Sequence, residues 1–306
     1  MISDYSIIIC GCTINSSSYI ERHLQHLQEL KPLFKDFSIV IYENDSVDNT
    51  TEILKDLEKN GTIQLIAEKG ITNRLKKRTT IIAHGRNTLI DHVNKCTNYD
   101  YMIMIDLDDI LKQPIADSIK RAFEYNTNEW DVLTGNCLGL YYDIWALRIN
   151  KKQWSETHQA IWDTCLDYDV WDRIKHVNYA NMIKELEERE NNFAYYTTTT
   201  QKILQRKLLR ETYVKSFQKH IPSTSPLIPV ESAFGGIGIY KISAIKDCKY
   251  NGLQTNCTCS DYDVKGDCID IACEHISFHK DIIQKNDGKI FICPTLLVAN
   301  QEEHMQ

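Results

Sequence analysis

A chain of 306 residues, 42% apolar and 25% charged, has the make-up of a globular protein with ample material for a core. Its formal net charge of −7 argues against a nonspecific grip on nucleic acid. No apolar run approaches the ~20 residues of a membrane span, and "MISDYSIIICGC" at the N-terminus lacks the basic and long apolar regions of a secretory signal.

In chain order, "YSIIICGCTI" (5–14) reads as a buried strand running into a polar turn. A helix over 18–31 follows, with Leu24, Leu27 and Leu30 on one face and Pro32 ending it. "FSIVIYEND" (37–45) is a second strand, and 46–61 a helix that Asp48 or Asn49 could cap and Gly61 terminates. "TIQLIAE" (62–68) is a third strand, 77–96 a helix and "YDYMIMIDLD" (99–108) a fourth strand. Such alternation predicts a doubly wound α/β fold, with a mostly parallel central sheet covered by helices on both faces. Its ligands belong beyond the carboxyl ends of the strands, where "NSSS", "ENDSVD" and "DLDD" fall.

The pattern changes after "DVLTGNCLGLYYDIWALR" (131–148). Residues 151–220 read as an inserted helical or irregular region containing Trp154, Trp162 and Trp171. Strand character returns over 226–245 around a Gly-rich turn, then come a cysteine-rich loop (248–273), "CEHISFHKDI" and a last strand, "KIFICPTLLVAN". Neither repeats nor linkers appear, so one domain is expected over 1–306. Eleven cysteines, an odd number with some inside apparent strands, point to mostly reduced thiols in a cytoplasmic protein. Cys257, Cys259, Cys268 and Cys273 with His275 form a rival zinc set, though their spacing is irregular.

The chemistry concentrates in "YMIMIDLDDI" (101–110). On an extended chain Asp106 and Asp108 share one side and Asp109 takes the other. Paired carboxylates repel unless a divalent cation bridges them, and oxygen ligands suit Mg2+ or Mn2+. A helix cap is the plainer use of Asp108 or Asp109, but a cap needs one aspartate rather than three.

This strand resembles the DxD motif of GT-A glycosyltransferases. "IYENDSVDNT" resembles the acidic second-strand end of that fold, and "RTTIIAHGRN" the Arg…Arg-Asn helix of the capsule-mannosyltransferase-like and procollagen-glycosyltransferase-like families. "YYDIWALR", "FGGIGIYK" and "CEHISFH" resemble later elements of those families; the Ile-, Lys- and Asn-rich composition suggests a large DNA virus or a protist, hence viral glycosylation in a host cytoplasm.

The resemblance implies a transferase that moves a sugar from a nucleotide-sugar donor (a UDP- or GDP-sugar) to a hydroxyl of a glycan or protein acceptor. Residues 1–130 would be the nucleotide-sugar half and 131–306 the acceptor half. Asp106 and Asp108 would bind Mn2+ (or Mg2+), with His275 or His279 as a further ligand and Asp109 orienting the donor sugar or capping the next helix. Glu43 and Asp45 would meet ribose or base, with Thr13 and Asn15 lining the same pocket, although Asp45 could equally cap the following helix. Arg78, Arg86 and Asn87 lie on one helix, and the arginines, eight residues apart, can share a face to hold the diphosphate or brace the aspartates. Gly235 and Gly236 would let backbone approach the donor sugar. Glu231 and Asp143 are the two candidates for catalytic base, and Trp145 could stack on a sugar face. The competing readings are a metal-dependent nucleotidyltransferase or phosphohydrolase, which would more naturally carry a GxxxxGKS/T phosphate loop, and a non-catalytic carbohydrate-binding module.

Overall fold

A computed structural model describes residues 1–171, 179–189, 196–253 and 271–299. The N-terminal alternation is present as β1 (Ser6–Thr13), α1 (Ile20–Gln28), β2 (Asp36–Asn44), α2 (Thr50–Lys59), β3 (Gln64–Glu68), a one-turn α3 (Ile71–Arg74), α4 (Arg78–Val93) and β4 (Tyr101–Ile105). Next come α5 (Ala116–Ala122), β5 (Val132–Cys137), the short α6 (Glu156–Gln159), α7 (Tyr179–Arg189) and α8 (Thr198–Tyr213). The chain returns to the sheet with β6 (Ile228–Pro229) and β7 (Ile237–Lys241), then α9 (Glu274–Asn286) and β8 (Ile290–Val298).

These strands form one eight-stranded sheet in the order β3-β2-β1-β4-β7-β5-β8-β6. The first four are mutually parallel. β7 runs antiparallel between β4 and β5, and β8 pairs parallel with β5, so only the two-residue β6 and β7 oppose the common direction. The expected mostly parallel α/β sheet is found, with β7 wedged into it.

Pleat parity divides the core. Ile8, Cys10, Val40, Tyr42, Met102 and Met104 face α4 and α9, packing on Leu89, Ile90 and Phe278. Ile7, Ile9, Ile39, Ile41, Ile103 and Ile105 face α1, α2 and α5, packing on Leu24, Leu54 and Ile119. Strands buried on both faces must read as unbroken apolar runs, which is why β1, β2 and β4 are visible in the sequence. Each such side chain contributes roughly 1.5–3 kcal/mol by leaving water.

α4 lies close on the sheet because of Gly85, where an added Cβ would sit 2.7 Å from the Tyr42 ring and 3.0 Å from Cys12 Sγ. Asp48, just outside α2, is its effective cap: it accepts from Thr50 N at 3.0 Å and also holds Ser17 N at 3.1 Å. In the inserted region, α7 and α8 pack through a small cluster of Leu186, Leu208 and Leu209. Among the described residues no helix is long and apolar enough to cross a membrane. The eight described cysteines are free thiols, Cys273 among them, and Cys257, Cys259 and Cys268 lie outside the described residues.

Candidate functional site

The carboxyl ends of β1, β2 and β4 open onto a cavity of about 580 Å3, closed on its other sides by α4, the start of α9 and α8. Asp106 and Asp108 both line it. β4 stops at Ile105, short of the expected 108, so pleat parity does not aim these carboxylates. Their direction is set by a turn instead: Asp106 N donates to Gly236 O at 2.8 Å, and Leu111 N donates to Asp108 O at 3.1 Å. Asp109 opens that 3-10 turn (Asp109–Leu111), and its side chain lies outside the described residues.

Behind Asp106 is a buried polar network. Arg86 donates through Nη2 to Asp106 Oδ1 at 2.8 Å and through Nη1 to Glu274 Oε1. The guanidinium also lies over the rings of Phe234 (4.9 Å) and Tyr250 (5.6 Å). Burial alone would weaken its hold on the proton, but Glu274 and Asp106 outweigh that and keep Arg86 firmly charged. Of the two uses expected for Arg86, the structure shows bracing of the aspartate.

Asp143 also lines the cavity. Its Oδ2 accepts from Gly235 N at 3.0 Å and its Oδ1 from Ala146 N at 3.3 Å. Burial lifts its pKa to about 6 against those two amides, and the nearby Asp106 and Glu274 charges add to the rise. Glu231 is not brought here: it is exposed and accepts from Asn150 Nδ2 at 2.7 Å. Gly235 and Gly236 have φ of +64° and +87°. A Cβ on Gly235 would be 2.6 Å from Gly135 O, and one on Gly236 2.9 Å from Ile110. Contacts within the protein already require glycine at both positions, and their backbone positions Asp143 and Asp106.

On the strand-one and strand-two side, Thr13 lines the cavity and shares a 2.6 Å hydrogen bond with Ser16 Oγ. Asn15, Glu43 and Asp45 do not line it. Asn15 Oδ1 accepts from Val47 N at 2.8 Å, and the buried Glu43 accepts from Ser46 N at 2.9 Å. Asp45 accepts from Gly70 N at 2.5 Å and Thr72 N at 2.7 Å, clamping the α3 turn to the end of β2. Although partial burial works against it, those amides hold the Asp45 carboxyl below its ordinary range. The residue at this edge that faces the cavity is Asn44. It shares the pleat face of Tyr42, a parity signal present in the sequence. Arg78, exposed at the start of α4, is on the rim together with Lys76. Asn87 is turned away: its amide pairs both ways with the Tyr250 backbone, at 2.9 and 2.8 Å, joining α4 to the segment around Tyr250.

The two histidines separate. His279 is fully buried, with Nδ1 2.9 Å from Ser232 Oγ and Nε2 3.1 Å from Tyr240 OH, so both nitrogens are occupied away from the cavity. Burial and then Arg86 push its pKa down to about 3. His275 does line the cavity, stacked 3.8 Å from the Phe234 ring. Burial and Arg86 keep it neutral; Nε2 is 2.5 Å from Arg86 Nη1, while its buried Nδ1 has no hydrogen-bond partner among the described residues. Among the described residues no three His, Cys, Asp or Glu side chains converge on one ion position. Two hard carboxylates on a cavity wall still fit Mg2+ or Mn2+, which commonly take one or two carboxylates and complete their shell with substrate phosphates and water.

The remaining wall comes from Trp145 and, in the inserted region, from Trp171, Arg210 on α8 and Val214 just after that helix. Of these only Trp145 was singled out from the sequence; no periodicity marks the others.

Residues 6–161, just over half of the chain, match the family described as Glycosyl transferase family 2. No curated protein matches. Among solved structures, the S. aureus protein TarS aligns over 44% of this chain and 22% of its own, at 21% identity and a TM-score of 0.32. The mannosyltransferase PcManGT from Pyrobaculum calidifontis, in complex with GDP-Man and Mn2+, aligns over 48% and 42% at 17% identity and TM-score 0.34. Glucosyl-3-phosphoglycerate synthase from Mycobacterium tuberculosis, with UDP, aligns over 45% and 46% at 15% identity and TM-score 0.32. The chain thus spans less than half the length of each of these structures. The family match, which runs from β1 through Asp106, Asp108 and Asp143, places this chain in glycosyl transferase family 2.

Proposed function

We propose that the protein is a metal-dependent glycosyltransferase that moves a sugar from a nucleotide-sugar, a UDP- or GDP-sugar, to a hydroxyl of its acceptor. The observation that carries this reading is the meeting of Asp106, Asp108 and Asp143 on one cavity at the carboxyl edge of the sheet. Asp106 and Asp108 would hold Mn2+ or Mg2+, which when bound offsets the negative charge of the donor diphosphate and of the departing nucleoside diphosphate. Arg86 holds Asp106 in place from behind, and Lys76 and Arg78 supply further positive charge at the rim. Thr13, Tyr42 and Asn44 line the side where the nucleoside would lie.

Asp143 is the base. Its carboxylate takes the proton of the acceptor hydroxyl as that oxygen bonds to the donor's anomeric carbon, and the bond from that carbon to the diphosphate oxygen breaks with its electron pair. A pKa near 6 suits this role: ionised at neutral pH, yet basic enough to accept a proton in the transition state. The two amides from Gly235 and Ala146 fix its orientation. Under this reading residues 1–130 form the donor half and 131–306 the acceptor half.

The test is release of nucleoside diphosphate from UDP-, GDP- and dTDP-sugars with Mn2+, alongside thermal shifts with the same panel. The reading expects cleavage of at least one donor, abolished by Asp106→Ala and Asp108→Ala. Absence of both binding and cleavage across the panel refutes it.

A further inference from the structure

The cavity wall built by Trp145 and the inserted region bears on what the acceptor is. Trp145 and Trp171 are half-buried and both line the cavity. One carboxylate sets them both: Trp145 Nε1 donates to Asp169 Oδ2 at 3.2 Å, and Trp171 N donates to Asp169 Oδ1 at 2.8 Å. Arg148 lies 3.3 Å from Asp169 Oδ2, and the pair keep only 12% and 15% exposure, so water competes little for either. With its single polar atom turned to Asp169, Trp145 offers hydrocarbon surface to the cavity. The wall also adjoins the proposed base. Trp145 is two residues from Asp143 within the turn that Ala146 N closes on the Asp143 carboxylate. The chain that follows α8 is fixed there too, because Gln218 Nε2 donates to Tyr142 O at 3.2 Å.

We propose that this wall is a saccharide subsite: the acceptor hydroxyl belongs to a sugar ring seated on Trp145 and Trp171, and Asp169 is the positioning residue for both. The inference rests on the transferase reading and adds the acceptor class to it. A sugar ring has an apolar C–H face and a polar edge, so an indole face can cover the first while the second reaches Asp143. A serine or threonine side chain by itself has no apolar face of the size an indole covers.

The test uses the full chain, Mn2+, whichever nucleotide-sugar is cleaved, and two acceptor sets: methyl glycosides of common hexoses, pentoses and N-acetylhexosamines, and Ser/Thr peptides. Transfer to a glycoside is expected. Its KM should rise about tenfold in Trp145→Ala and Trp171→Ala, with less change in Trp171→Phe and no parallel rise in donor KM. Asp169→Asn, which keeps one accepting oxygen, should raise glycoside KM without an equal fall in kcat. A merely structural Asp169 would instead lower kcat in step with the folded fraction. The proposal is overturned if donor is hydrolysed but no glycoside accelerates its consumption, if peptides are the acceptors, or if the tryptophan variants act on donor KM. No donor cleavage at all strikes the transferase reading instead.

Discussion

Arg86 offers the sharpest test of the site's construction. Replacing it with methionine keeps similar volume but removes the cation on which both Glu274 and Asp106 depend. Arg86 and Glu274 retain 6% and 8% exposure, so water cannot take the place of the guanidinium at Glu274. Breaking such a buried pair costs about 3–5 kcal/mol, chiefly because one charge is left uncompensated. Asp106, at 27% exposure, can hydrate and adds less. The lost cation–π contact over Phe234 at 4.9 Å adds about 1 kcal/mol. Adding Glu274→Gln to Arg86→Met removes the stranded charge while keeping the side chain's shape. The double variant should therefore recover much of the loss, with a coupling energy of about 2–3 kcal/mol. Urea unfolding of wild type, both single variants and the double variant measures it, provided the m-values agree. A coupling below about 0.5 kcal/mol would show that the network stabilises nothing as a unit.

Asp143→Asn should lower transfer about 10²- to 10⁴-fold with little change in donor KM. Because the carboxylate must be ionised to take the proton, wild-type rate should fall as pH drops through about 6, and a rate flat across that region excludes Asp143 as the base. Gly235→Ala places a methyl 2.6 Å from Gly135 O at a φ of +64°, so thermal unfolding should reveal a loss of more than about 1 kcal/mol. An unchanged melting temperature would mean the turn reshapes freely. His279→Leu removes the ring nitrogens that meet Ser232 Oγ and Tyr240 OH, for a loss of about 1–3 kcal/mol. Its Mn2+ titration should nevertheless superimpose on that of wild type, and a weakened Mn2+ response would return His279 to the metal.

What the sequence disclosed, and what it hid, follows from the range of the forces involved. β1, β2 and β4 were legible because burial on both faces writes itself as consecutive apolar residues. Strand ends were harder. β4 stops at Ile105 because Asp106 N is taken by Gly236 O, a loop atom from far along the chain, and no local pattern announces that. The same holds for which carboxylate reaches the cavity: "YYDIW" and "PVESA" looked alike as sources of one, and the Gly235 amide, 92 residues from Asp143, holds Asp143 there. Asn44 was recoverable, since it shares the face of Tyr42, whereas the acids flanking it serve the turns around them. Arg86 and Glu274 are 188 residues apart and meet only because Gly85 lets α4 press onto the sheet while α9 begins beside it. The family match ends at 161, before Glu274 and the Gly235–Gly236 turn. Asp106, inside the matched half, is therefore held in position by residues from both halves: Arg86 before it, and Gly236 and, through Arg86, Glu274 after it. A fragment ending at the family boundary would keep both aspartates in sequence and lose the contacts that aim the first of them. The site is thus a property of the whole fold, although its most recognisable motif is local.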